Sequence, residues 1–247
     1  MTQVLLQKFQ NKFVLLFCLV YSLSFAQDLT TYQEKYKSYS EVILQEFEDI
    51  YFTLNKGKIN VSSKHYEEIL ILEDKSRISA TESIYNSDFV IIKNFEAFTI
   101  NNISGKNVKI PHGKVIDKRL ERDNIFDSDT RLKHIFYNNL QVGSKKILKY
   151  ELNLKDPFLL HRFTFQNYYP AFHKKIRLIV DPGIQIGYLL TNTENYTLDF
   201  KTYKEKNKTV YQWEAKDLPI ISSEEFSPSS SKVLPHINYY IKSYESS

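Results

Sequence analysis

The chain is 247 residues long, with 33 basic and 29 acidic side chains, a formal net charge of +4, 17 phenylalanines, 18 tyrosines and one tryptophan. A single cysteine excludes a disulfide scaffold, six glycines exclude a collagen-like repeat or a glycine-rich phosphate loop, and the aromatic content excludes intrinsic disorder. The small charge excess is mostly lysine and nowhere clusters, which excludes the electrostatic footprint of a nucleic-acid binder.

Residues 1–26 read as a secretory signal. Lys8 and Lys12 precede the apolar run Phe13–Tyr21, and Ser24-Phe25-Ala26 puts small residues at the −3 and −1 positions of a cleavage site. The run is nine residues, against the roughly 20 that a spanning helix needs. A cleaved signal is therefore expected rather than a membrane anchor, and bulky Phe17 ahead of Cys18 argues against a lipoprotein signal. Cleavage would leave Gln27 as the first residue and bring the net charge to about +2. It would also remove the one cysteine, and with it any disulfide, thiolate metal site or cysteine nucleophile. The expected destination is the periplasm or the cell surface, with no transmembrane segment after cleavage.

Thr31–Ser38 is the first helical stretch, short and polar. Val42, Leu44, Glu46 and Glu48 then interleave with Ile43, Gln45, Phe47 and Asp49, an alternation that predicts a strand reaching Leu54. Asn55-Lys56-Gly57-Lys58 is a turn signal, followed by a return strand from Ile59 through Leu72. A second short helix is expected over Ser76–Tyr85. Further strands are expected at Phe89–Lys93, Phe95–Asn101, Arg131–Tyr137, Lys146–Leu154, Leu159–Asn167 and Lys175–Val180, then at Ile184–Leu190, Tyr196–Tyr203, Thr209–Glu214 and Ile237–Lys242. Turn chemistry separates them, as at Gly143-Ser144 and Asp181-Pro182-Gly183.

About ten strands, short turns and no βαβ spacing imply an all-β fold: an antiparallel two-sheet β-sandwich with one or two short peripheral helices. The expected organisation is one domain over residues 27–247. Its linker-like stretch is Ser222–His236, rich in serine and carrying two prolines, ahead of the last strand.

The chain has no G-x-S-x-G elbow and no H-E-x-x-H pair, and its six histidines are scattered. Neither a cofactor nor a metal is expected. Asp127 and Asp129 flank one face of an extended segment with Arg131 following, so they could form an acid–base pair or an oxygen-rich cation site. A polar turn with a strand-end salt bridge is the preferred reading, because the glycine and distal glutamate of a calcium loop are missing. Tyr211 and Trp213 share a strand face; exposed, they could stack on a sugar, although burial in the core is favoured by the apolar area of the rings.

Two longer stretches carry a family resemblance: Asp129 to Phe136 with Asn139-Leu140-Gln141-Val142-Gly143-Ser144 and Ile147 to Glu151, and later Phe163 to Gln166, Tyr169-Pro170 and Trp213 to Pro219. Tyr39–Val42 and Ile110-Pro111-His112-Gly113 fit its earlier part. Together they resemble the N-terminal domain of unknown function that precedes the transglutaminase-like core in bacterial envelope proteins, over roughly residues 39–243. The resemblance implies a non-catalytic β-sandwich, whose partner is a transglutaminase-like enzyme, an envelope protein or a glycan. The catalytic cysteine, histidine and aspartate of such enzymes belong to a following core, so the resemblance transfers no catalytic residue to this sequence. Glycan binding, or a carboxylate-dependent activity on glycan, is the alternative.

Overall fold

The computed structural model of the chain describes residues 29–73, 80–120, 129–166, 169–220 and 233–245. A short helix, α1, at 29–35 leads into β1 (Glu41–Asn55), β2 (Lys58–Ile71), β3 (Thr81–Asn86), β4 (Val90–Ile103), β5 (Lys106–Pro111), β6 (Val115–Arg119) and β7 (Arg131–Phe136). The chain continues through β8 (Lys145–Leu154), β9 (Phe163–Thr164), β10 (Ala171–Val180), β11 (Ile184–Thr191), β12 (Leu198–Glu205), β13 (Lys208–Leu218) and β14 (His236–Tyr244).

Eight strands form one long sheet in the order β12-β13-β10-β1-β2-β8-β4-β5. The second layer is split into two small sheets, β11-β14-β9 and β3-β7-β6. The fold is thus an all-β sandwich, with three sheets in place of the two expected, because the second layer is assembled from short strands drawn from separate parts of the chain. One pairing also departs from antiparallel: β1 runs parallel to β10. A parallel neighbour needs a long crossover, which is provided by the chain that builds β2 to β9.

Strand alternation explains where the core lies. In β1, Ile43, Ile50 and Phe52 join the main hydrophobic cluster with Ile176 and Leu178 of β10, Ile135 of β7 and Ile237 of β14. Val42 and Leu44 point the other way and pack with Tyr36, Leu70 and Leu72, next to Leu29 and Tyr32 of α1. A bulge between Ile43 and Gln45 changes the phase, so that Glu46 and Glu48 fall on the inner face with Ile50 and Phe52. The rest of the outer face is solvated and laced with ion pairs such as Lys64–Glu151 at 2.9 Å, as antiparallel sheets with one wet face permit.

Several boundaries differ from the sequence expectations. The strands expected at Phe89–Lys93 and Phe95–Asn101 are a single strand, β4, with a bulge between Ile92 and Asn94 at the point where the alternation breaks. The helix expected over Ser76–Tyr85 is not found in its described part: Thr81–Tyr85 belongs to β3, where Ile84 is buried between exposed neighbours and pairs with β7. Its remainder, 76–79, lies outside the described residues. Of the strand expected at Leu159–Asn167, described as far as 166, only Phe163–Thr164 pairs among the described residues. The strands β5 and β6 are too exposed to carry an apolar alternation. Most of the Ser222–His236 stretch lies outside the described residues, and His236 opens β14. Among the described residues no helix is long and apolar enough to cross a membrane.

The Asn139 to Ser144 motif proves to be a structural turn. Asn139 and Gly143 both adopt positive φ, 52° and 82°, which glycine tolerates and asparagine visits more readily than most residues. Gly143 N–H donates to Ile71 O at 2.9 Å, and the Ser144 hydroxyl donates to Asn101 Oδ1 at 2.6 Å, fastening the turn to β2 and β4.

Candidate functional site

The inner face of the large sheet carries a seam of charge where apolar residues would be expected. Cross-strand register builds it: Glu46 and Glu48 of β1 stand opposite Glu67 and His65 of β2, and His65 stands opposite Tyr150 of β8. Three side chains on this face, Lys146, Lys174 and Glu48, link it to the second layer. Lys146 of β8, 1% exposed, lies 2.8 Å from Glu41 and 2.7 Å from Glu82 of β3. Lys174 of β10 is fully enclosed, pairs with Glu46 at 2.6 Å and donates to Thr164 O of β9 at 3.1 Å. Glu48 Oε1 lies 2.8 Å from His161 Nε2, in the segment leading into β9. These are three ionic clamps, each joining the large sheet to a different second-layer element.

Their protonation follows from mutual proximity. The Glu48 charge raises the His161 pKa against the effect of burial. Burial alone would push the Glu48 carboxyl up, but His161, His65 and Ser63 outweigh it and hold it below the usual carboxylate range. Burial pushes Glu67 well above that range, reinforced by the charges of Glu46 and Glu82. Burial likewise lowers His65.

Glu67 therefore gives a pH prediction with a definite sign. An acid whose folded pKa is raised contributes stability that is present below its unfolded pKa and lost as pH rises through the folded value. Glu67→Gln is expected to stabilise the protein at pH 7.5 by on the order of 1–3 kcal/mol, with little effect near pH 4.5. Urea midpoints of the two proteins at both pH values check this, and a variant no more stable at pH 7.5 would show that Glu67 is ionised in the fold.

Beside this seam a cavity of about 400 Å³ opens between β3 and the large sheet. Residues 83–87 form one wall; Val90, Thr130, Tyr150, Leu152, Leu159 and His161 form the others. Tyr85 and Leu159 at its rim are 61% and 48% exposed. His161 thus faces the cavity while Glu48 holds it from behind.

The residues singled out from sequence lie elsewhere. Asp127 is outside the described residues. Asp129 accepts a hydrogen bond from Asp88 N–H at 2.8 Å, tying the start of β7 to the β3–β4 turn. Arg131 is ion-paired at 2.8 Å with Asp117 of β6. Trp213 is 1% exposed, stacked on Phe200 at 4.9 Å and met edge-on by Tyr188 at 4.7 Å. Tyr211 is part-buried on the same face, 6.3 Å from Tyr188. Sequence reasoning missed the seam, although Glu46 and Glu48 share the phase of Ile50 and Phe52 and so carried a signal of inward charge. Among the described residues no group of three or more histidine, cysteine or acidic side chains could hold a metal ion.

A comparison with curated proteins finds no match. Among solved structures, a putative protease from Parabacteroides distasonis superposes with a TM-score of 0.66 at 17% identity, covering 81% of this chain and 40% of that one. An M1 zinc metallopeptidase from Deinococcus radiodurans gives a TM-score of only 0.40 at 7% identity, covering 82% of this chain and 43% of that one. This chain thus spans less than half the length of either protein, and the first shares its fold. The model of the domain of unknown function DUF3857 matches residues 59–222, from β2 through β13. That is well over half of the sequence, and the chain belongs to the DUF3857 family.

Proposed function

We propose that the chain is an exported, non-catalytic β-sandwich module that binds or scaffolds, presenting a polypeptide or envelope polymer to a separate transglutaminase-like enzyme. The observation that carries this reading is the disposition of its charge. The enclosed cations Lys146 and Lys174 are each held against a carboxylate between the layers, and Glu48 anchors His161 at the cavity wall, while the open cavity beside β3 is walled mainly by apolar and neutral polar groups. That is the make-up of a binding surface on a braced scaffold. The putative protease that shares the fold over 40% of its own length supports the view of the fold as an accessory unit within larger proteins.

The purified chain is expected to show no peptide hydrolysis and no glutamine acyl transfer. Added to a transglutaminase-like envelope enzyme, it is expected to raise the rate at subsaturating polymer. Turnover by the purified chain alone would overturn the reading. The mass of the native protein tests export: a first residue at Gln27 is expected.

A further inference from the structure

One wall of the cavity is the free edge of a strand. Five consecutive residues, 83–87, line it. Successive strand side chains point to opposite faces, so an unbroken run means that the backbone itself borders the space. Among the described residues β3 is an edge strand, paired with β7 alone. The phase of that ladder can be read from its end, where Tyr137 N–H donates to Ala80 O at 2.8 Å. Hydrogen-bonded pairs alternate in an antiparallel ladder, which assigns Glu82, Ile84 and Asn86 to bonds with β7. Ser83 and Tyr85 then turn their N–H and C=O groups away from it. Phe136 agrees with this phase: it exchanges its bonds with Lys114 O and Gly113 N–H on the β6 side, not with its β3 partner.

A second observation points to a missing donor. Asn86 is a cavity-wall residue, and its Oδ1, turned away from the open space, is enclosed and accepts no hydrogen bond among the described residues. An enclosed acceptor without a donor is destabilising, and a ligand bearing N–H groups would relieve it. Across the gap, Val90, Leu152 and Leu159 offer an apolar surface. The four strand residues 83–86 extend about 13 Å.

We propose that the β3 edge is a docking site for an extended peptide of a partner polypeptide, which adds as a fourth strand to the β3-β7-β6 sheet. Its main chain bonds to Ser83 and Tyr85, the Asn86 amide turns into the gap to accept one of its N–H groups, and alternate apolar side chains pack on Val90, Leu152 and Leu159. A peptide fits because it repeats a donor and an acceptor at every second residue, in step with the edge it meets. Sugar hydroxyls do not repeat at strand spacing, and an acyl chain carries no donor. This assignment rests on the reading of the chain as a binding module and names the ligand class of its cavity.

The test uses a capped peptide alternating valine and threonine between terminal lysines, together with the same peptide N-methylated at alternate amides. Titration into isotope-labelled protein is expected to move the amide signals of residues 83–87. Ser83→Pro removes a donor aimed at the cavity and none aimed at β7, at an edge position where proline is tolerated. It is expected to weaken binding by roughly tenfold or more. Ser83→Ala, which loses only the hydroxyl contact to His134 Nδ1 at 2.8 Å, is expected to stay within about twofold of the parent. The N-methylated peptide, which reads the edge without altering the protein, is expected not to bind.

Equal binding of the N-methylated peptide, signal changes elsewhere, or no binding of either peptide would overturn the proposal. So would slow hydrogen exchange at Ser83 and Tyr85 before any peptide is added, since another part of this chain would then hold the edge. If the peptide fails while the chain still accelerates the transglutaminase-like enzyme, the edge assignment alone falls and the module reading stands.

Discussion

Replacing Lys146 with methionine is expected to cost about 3–5 kcal/mol of folding stability, because it strips the cation from two carboxylates, of which Glu41 stays fully enclosed and Glu82 part-buried. Lys146 is 1% exposed and faces Glu41 and Glu82 at 2.8 and 2.7 Å, so it joins β8, β1 and β3 at one point. Burial works against its charge, yet the two glutamates more than offset this and raise its pKa above the ordinary value. The variant also takes a positive neighbour from Glu67, whose carboxyl is already raised. Urea unfolding at pH 7 measures the loss. Adding Glu41→Gln and Glu82→Gln to the methionine variant removes the uncompensated charge and is expected to restore much of the stability. A methionine variant within about 1 kcal/mol of the parent would mean that the clamp is solvated and does not brace the two layers.

Trp213→Ala is expected to cost about 3–5 kcal/mol, since the indole is the largest of the fully buried side chains. It contacts Phe200 across the β12–β13 pairing and Tyr188 from the second layer. Removing it leaves a void bordered by rigid strands, which collapse poorly. Far-ultraviolet circular dichroism against urea measures the loss without using the fluorophore that has been deleted. The same indole, the only one in the chain, discriminates against a sugar platform. Its emission is expected to be blue-shifted and unmoved by chitin or peptidoglycan fragments. A ligand-dependent emission shift together with a mild alanine variant would revive the glycan reading.

How far the sequence was legible depended on what each element touches. Long strands such as β1, β2, β8 and β10 bury one face along most of their length, so period-two alternation marked them well. Edge strands β3, β5 and β6 bury little and bonded on one side only, leaving no apolar phase to read. Glu46 and Glu48 share a sequence phase with Val42 and Leu44 on one side and with Ile50 and Phe52 on the other. A bulge at the start of β1 parts them from Val42 and Leu44 and puts them inside with Ile50 and Phe52. Asp127, Asp129 and Arg131, alternating in an extended run, looked like a constellation, yet Asp129 and Arg131 each found a partner on another element, at the β3–β4 turn and on β6.

The sequence by itself determined an all-β fold in which Trp213 packs as core, because strand periodicity and apolar area are local properties of the chain. Tertiary structure alone decided that the second layer is two sheets with a gap at the β3 edge, and that Lys146, Lys174 and His161 meet Glu41, Glu82, Glu46 and Glu48 within it. Those partners are separated by tens to more than a hundred positions in the sequence. Only the register of paired strands, with a bulge that shifts every later side chain to the opposite face, brings such residues together.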